Sequence, residues 1–196
     1  MIEIQPVDEV DVSISVPGSK SLTQRALIAA ALADGTSRLI GALDSEDTRY
    51  TSAALNQMGI SIEKEEDGSW LVHGQGGKIG PSSEEIFLGN NGTATRFLTS
   101  VVALGDSTFI INGDERMQER PIAPLMEALN GWGVGIRSIR DTGCPPLEIR
   151  SNGIQGGEAV LPEGKSSQYI SSMLLVAPYT EQSATLKVKG EVLSKP

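Results

Sequence analysis

The sequence predicts an α/β protein of repeated βαβαββ units, with three buried parallel helices against β-sheets and an incomplete third unit. Three observations carry this. Gly18, Gly89 and Gly164 open similar turns 71 and 75 residues apart, and self-similarity at such a period marks a repeated unit. Arg25 and Arg96 each stand seven residues after their glycine, and Arg49 and Arg120 are again 71 apart, although the third copy has Ser171 in the place of Arg25. The helical stretch after each turn (RALIAAALA, RFLTSVVAL, YISSMLLVA) is apolar or small nearly all round, the composition of a helix covered on every side.

In the first unit, Val12–Val16 (VSISV) alternates like a strand and leads into the turn Pro17–Arg25. The helix after it stops near Asp34-Gly35, and Ser37–Ile40 reads as the next strand. Asp44–Asp47 forms an acidic start for a helix over Thr48–Met58, ended by Gly59. Ile60–Lys64 and Trp70–His73 flank Asp67-Gly68 as a hairpin. The second unit repeats the order. Ile86–Leu88 is a strand, Gly89–Thr93 opens a helix through Leu104, and Phe109–Ile111 is a strand. Pro121 is expected in the first turn of a helix through Asn130, a position that tolerates proline. Ile136–Ile139 and Leu147–Arg150 complete the unit. The third unit offers Ala159–Leu161, the turn Gly164–Gln168, a helix Tyr169–Val176 and the strand Thr185–Val188. It lacks a second helix and a last strand pair, so Pro196 is expected not to be the natural terminus.

A net charge of −9 argues against a nucleic-acid partner, which favours a basic face. The N-terminus has no basic flank with an apolar run behind it, and no apolar stretch approaches the ~18 residues of a membrane span, so a cytoplasmic chain without a membrane partner is expected. Cys144 is the only cysteine, with no basic neighbour in sequence to activate it. His73 is the only histidine, which leaves no His-based metal cluster, and no cofactor is expected. Gly164-Lys165-Ser166-Ser167 resembles the end of a P-loop, but residue 159 is Ala where the leading glycine belongs. Asn91-Gly92-Thr93 is formally a glycosylation acceptor without a secretory context.

What remains is a set of anion-directed groups. Helix starts present unpaired N–H groups and the positive end of the dipole. Lys20 and Arg25 add charge to the first turn, with the hydroxyls of Ser19, Ser21 and Thr23. Gly89–Thr93 lets an anion approach the backbone closely. Arg120 is placed either to clamp a carboxylate or phosphate in bidentate fashion or to pair with Glu115 or Glu119. Ser166, Ser167 and Gln168 supply neutral donors and acceptors, or plain helix capping. Together these elements suit one or two small, multiply anionic metabolites.

PGSKSLTQRALIAAALA, LDSEDTR, LGNNGTATR, ERMQERPI, Ser166-Ser167-Gln168 and the terminal GEVLSKP resemble, in order and spacing, the 5-enolpyruvylshikimate-3-phosphate synthase family. The resemblance implies transfer of the enolpyruvyl group of phosphoenolpyruvate to the 5-hydroxyl of shikimate 3-phosphate, in the route to aromatic amino acids. It implies a fold of two domains, each of three βαβαββ units. Residues 1–13 would then pack with a second domain, and residues 14–196 would form the N-terminal substrate-binding domain, cut within its third unit. Ser21, Arg25, Ser166, Ser167, Gln168 and Ser194 are expected to contact shikimate 3-phosphate. Asn90, Gly92 and Arg120 are expected to line the phosphoenolpyruvate site, where glyphosate would compete. Lys20 would reach between both substrates, so Lys20 and Arg120 carry the catalytic expectation. Asn91 and Thr95 stand where the family often has Ala and Met, and Phe97 where many members have proline. Lys20-Ser21 replaces the Lys-Asn pair of the sister enzyme that acts on UDP-N-acetylglucosamine. The proton-moving groups of the reaction belong to the other domain, which leaves two classes open: part of a working transferase, or a half-protein that binds shikimate 3-phosphate without turnover.

Overall fold

The computed structural model describes residues 3, 6, 9–162 and 166–190. The first unit holds α1 (Lys20–Leu32), β1 (Asp34–Leu39), α2 (Glu46–Gln57), β2 (Ser61–Lys64) and β3 (Trp70–Gln75). The second holds β4 (Ile86–Phe87), α3 (Gly92–Val101), β5 (Asp106–Asn112), α4 (Ala123–Gly131), β6 (Gly135–Ser138) and β7 (Leu147–Asn152). The third holds β8 (Gly157–Leu161), α5 (Ser167–Val176) and β9 (Ala184–Val188).

The hairpin β2–β3 forms as expected, and β3 also pairs antiparallel with β1 to give the order β1-β3-β2. The second sheet runs β4-β5-β7-β6 with β4 parallel to β5, and β8 pairs parallel with β9. A parallel pair needs a crossover, and α3 and α5 provide it. One apolar cluster gathers all three units, from Leu27 and Leu55 through Trp70, Phe97 and Phe109 to Trp132 and Met173. Polar contacts stitch the units: Trp132 Nε1 donates to the Thr185 carbonyl at 3.3 Å, and the Tyr179 hydroxyl donates to the Leu32 carbonyl at 2.6 Å.

Four expectations are corrected. Val12–Val16 joins no strand ladder; Ile14 and Val16 are 81% and 77% exposed, while Ile86 and Leu88 in the second unit are fully buried. Alternation gives a segment a strand's two faces, but the ladder needs a neighbouring strand, and β1 has only β3 beside it. Burial on every side holds for α3 far better than for its counterparts, since Leu22 of α1 and Leu174 of α5 are 68% and 57% exposed. Pro121 lies ahead of α4, and the proline in that helix's first turn is Pro124. The second helix of the first unit starts earlier than expected, because Ser45 caps it with a reciprocal Ser45–Thr48 capping box.

Candidate functional site

The first turn is fixed by close packing. A Cβ on Gly18 would lie 2.2 Å from the Gly41 carbonyl, so only glycine allows the loop after β1 to sit against the start of α1. Leu43 N–H donates to Thr23 Oγ1 at 2.9 Å and locks that approach, and Ser19 Oγ caps Leu22 N–H. Lys20 Nζ lies 2.6 Å from Asp47 Oδ2. Arg25 donates to the Ser21 carbonyl at 3.1 Å, and its guanidinium lies 5.0 Å from the Phe97 ring centroid. Phe97 thus supports an expected site residue.

The second turn is built around Asn91. Its buried side chain caps α3 by accepting from Ala94 N–H at 2.9 Å and donates to the Asp47 carbonyl at 2.7 Å. Asp47 therefore holds Lys20 through its carboxylate and the start of α3 through its backbone. This also explains Asn91-Gly92-Thr93, because the acceptor amide is consumed as a buried cap. Asn90 is exposed, and its carbonyl accepts Gly92 N–H at 3.1 Å.

Arg120 lies over Gly92. Its Nη1 is 2.7 Å from where a Cβ on Gly92 would stand, so the missing side chain makes room for the guanidinium. Among the described residues no carboxylate forms a salt bridge with Arg120, so the alternative of a pair with Glu115 or Glu119 is not realised. Arg120 is extended, φ −87° and ψ 118°, as a residue before proline favours. A small hollow lined by Gly92, Thr95, Arg96, Met117, Arg120 and Pro121 lies there.

At the third turn Ser166 caps α5, accepting Gln168 N–H at 3.3 Å. Gln168 is tied to the second unit at both ends of its amide: Arg96 donates to Oε1, and Nε2 donates to Thr93 Oγ1 at 3.1 Å. Ser167 is the first residue of α5. Arg25 and Ser171 share a groove of about 570 Å³ with Leu22, Ala26, Ala29, Leu174 and Leu175. Ser194 lies outside the described residues.

The three turns are therefore physically linked: first to second through Asp47 and through Arg25 on Phe97, second to third through Arg96 and Gln168. Site reasoning from sequence missed Asp47, Asn91, Arg96 and Tyr169. The repeat register had marked Arg96 as the partner of Arg25, and Asp47 lay in the acidic stretch read only as a helix start. Among the described residues the most strongly displaced titration is that of Asp44. The N–H donated by Arg49, and next the ammonium of Lys64, hold its carboxyl down at about 2. Among the described residues no three or more His, Cys, Asp and Glu side chains gather as metal ligands, and no helix is long and apolar enough to cross a membrane.

Comparison with known proteins gives a consistent set of relatives. The family described as EPSP synthase (3-phosphoshikimate 1-carboxyvinyltransferase) matches residues 4–196. A 3-phosphoshikimate 1-carboxyvinyltransferase of Rhizobium etli (strain CIAT 652) is 46% identical over 176 residues, which is 89% of this chain and 41% of that protein. The protein of that name from Shewanella denitrificans is 40% identical over 197 residues, 100% of this chain and 46% of the relative. The solved EPSP synthase of Acinetobacter baumannii superposes with a TM-score of 0.82 at 28% identity, covering 91% of this chain and 40% of the other. The chain thus spans less than half the length of these relatives.

Proposed function

Because the chain belongs to the EPSP synthase family, we propose that it supplies the shikimate 3-phosphate site and part of the phosphoenolpyruvate site of an enolpyruvyl transferase. The rest of the relatives' length would supply the facing half and the proton-moving groups. The observation that carries this reading is the Arg120 guanidinium, held against the Gly92 helix start with no acidic partner among the described residues. A bidentate cation beside a helix start suits the carboxylate or phosphate of phosphoenolpyruvate. Lys20, poised on Asp47, is the cation that reaches toward both anions, and Ser21 and Arg25 flank it. Ser166, Ser167 and Gln168, with Ser194, would receive shikimate 3-phosphate, while Asn90 and Gly92 line the second subsite. The carriage of charge by fixed cations and helix starts, and not by a titrating side chain, makes binding and charge stabilisation this chain's share of the reaction. The single, buried, unpaired Cys144 accords with a cytoplasmic setting.

Calorimetric titration of the chain with shikimate 3-phosphate tests the assignment. Saturable binding is expected, and Ser166→Ala with Ser167→Ala should weaken it, since a hydrogen bond to a charged group contributes about 1.5–3 kcal/mol. The melting temperature without ligand should move little. Affinity left unchanged by the double substitution would remove these serines from the site.

A further inference from the structure

We infer that Tyr169 is a positioning residue for Arg120, and that it ties the placement of Arg120 to the turn at Ser166–Gln168. The inference rests on the functional reading above. Tyr169 is buried in the first turn of α5, and its hydroxyl donates to the Pro121 carbonyl at 2.9 Å. Pro121 directly follows Arg120. Proline restricts Arg120 to extended backbone, and the Tyr169 hydroxyl fixes the peptide on the far side of the proline. The Arg120 backbone is thereby held from both ends, with its N–H also donated to the Met117 carbonyl at 3.0 Å.

The other face of Tyr169 belongs to the third turn's network. The Arg96 guanidinium lies 5.2 Å from the ring centroid and donates to Gln168 Oε1. Gln168 in turn donates to Thr93 Oγ1, one residue beyond Gly92. One helical turn thus carries the groups expected to receive the shikimate phosphate and, at the next residue, the hydroxyl that steadies Arg120. An anion that orders Ser166–Gln168 orders Tyr169 with them, and so favours one setting of Arg120. Occupation of the first subsite then raises affinity at the second, because the ordering is done before the second ligand arrives.

Tyr169→Phe removes only the hydroxyl and keeps the ring beneath Arg96. Titrations of the chain with phosphoenolpyruvate, with and without saturating shikimate 3-phosphate, give the ratio of the two affinities. In the unsubstituted chain the ratio should exceed one. In Tyr169→Phe, phosphoenolpyruvate affinity in the presence of shikimate 3-phosphate should fall about 3–10-fold, the effect of one lost hydrogen bond. The ratio should collapse toward one while shikimate 3-phosphate affinity stays within about twofold. An unchanged ratio overturns the inference, and so does a parallel loss of both affinities with the melting temperature, which is the mark of a merely structural role. A second measurement needs no altered Tyr169. With ¹⁵N-arginine labelling, shikimate 3-phosphate alone should shift the Arg120 Nε signal, identified by its loss in Arg120→Lys; an unmoved signal also overturns the inference. Failure of the unsubstituted chain to bind shikimate 3-phosphate would instead strike the functional reading itself.

Discussion

Arg49 and Arg120 occupy the same place in the first and second units, 71 residues apart, and have opposite fates. Arg49 Nε donates to Asp44 Oδ1 at 2.8 Å, and Lys64 reaches the other carboxylate oxygen at 2.8 Å. Asp44 has its own counterpart at the same spacing, Glu115, yet Glu115 is exposed and makes no bond to Arg120. The local backbone explains the difference. Ser45 starts a regular helix, which places Arg49 in its first turns with the guanidinium turned back to Asp44. In the second unit Asp114 Oδ1 caps Met117 N–H at 2.8 Å, a 3₁₀ turn covers Met117–Glu119, and Pro121 ends it with Arg120 extended. The same acid–arginine pair is thus closed by a helix in one unit and held open by a proline in the other. A repeat supplies the scaffold, and a local break in it leaves Arg120 without an acidic partner among the described residues.

The largest expected effect sets these two arginines against each other. Arg120→Ala should lower phosphoenolpyruvate affinity on the order of 10–100-fold, because a charge-assisted, bidentate contact is lost. Arg49→Ala should leave both ligand affinities unchanged, since its partner already lies within the chain and the pair is exposed. Calorimetry on the two variants under the same conditions decides it, and equal losses would end the contrast.

Pro121→Ala sharpens the comparison with a smaller effect. Alanine lifts the restriction on Arg120 and permits the helix to begin earlier, as it does after Ser45. Arg120 should then turn toward Glu115, and phosphoenolpyruvate affinity should fall about fivefold, within the reach of a surface ion pair competing for the guanidinium. Adding Glu115→Gln should restore most of it. A loss that Glu115→Gln leaves untouched would show that proline acts by some route other than this pair.

Much of this was legible in the sequence because it depends on spacing. The glycine and arginine registers gave the three units, their order of helices and strands, and the turns that the structure links through Asp47, Arg25 and Arg96. Properties that depend on what lies alongside were not legible. Ile14 and Val16 have the alternation of Ile86 and Leu88, but only the latter pair lies beside a strand, β5, and is buried. Leu22 and Leu174 belong to helices apolar all round by composition, and they stay exposed because nothing among the described residues covers that side. The roles of Asn91 and Tyr169 rest on partners 44 and 48 residues away in sequence, beyond any local pattern.

The smallest effect concerns the closed pair itself and is read with pH. Asp44 has an ordinary carboxyl pKa of 3.8 and is held at about 2, first by the Arg49 N–H and then by Lys64. A carboxyl whose pKa is lower in the folded chain favours folding above its unfolded value and loses that contribution as it protonates. The stabilisation should therefore be complete above about pH 4 and vanish as pH falls through about 2. It should be modest, because the side chain is 42% exposed and water screens the pair. Melting curves of the chain and of Asp44→Asn measure it: the unsubstituted chain should melt slightly higher at pH 5–7, and the two should converge near pH 2. Molar salt should narrow the gap at pH 5–7, since an exposed pair is screened. Phosphoenolpyruvate affinity at neutral pH should be the same in both, because this acid holds an arginine that the ligand does not need. A gap that widened toward pH 2 would mean that Asp44 opposes folding as an anion, and a loss of phosphoenolpyruvate affinity in Asp44→Asn would mean that the two units do not divide structure and binding between them.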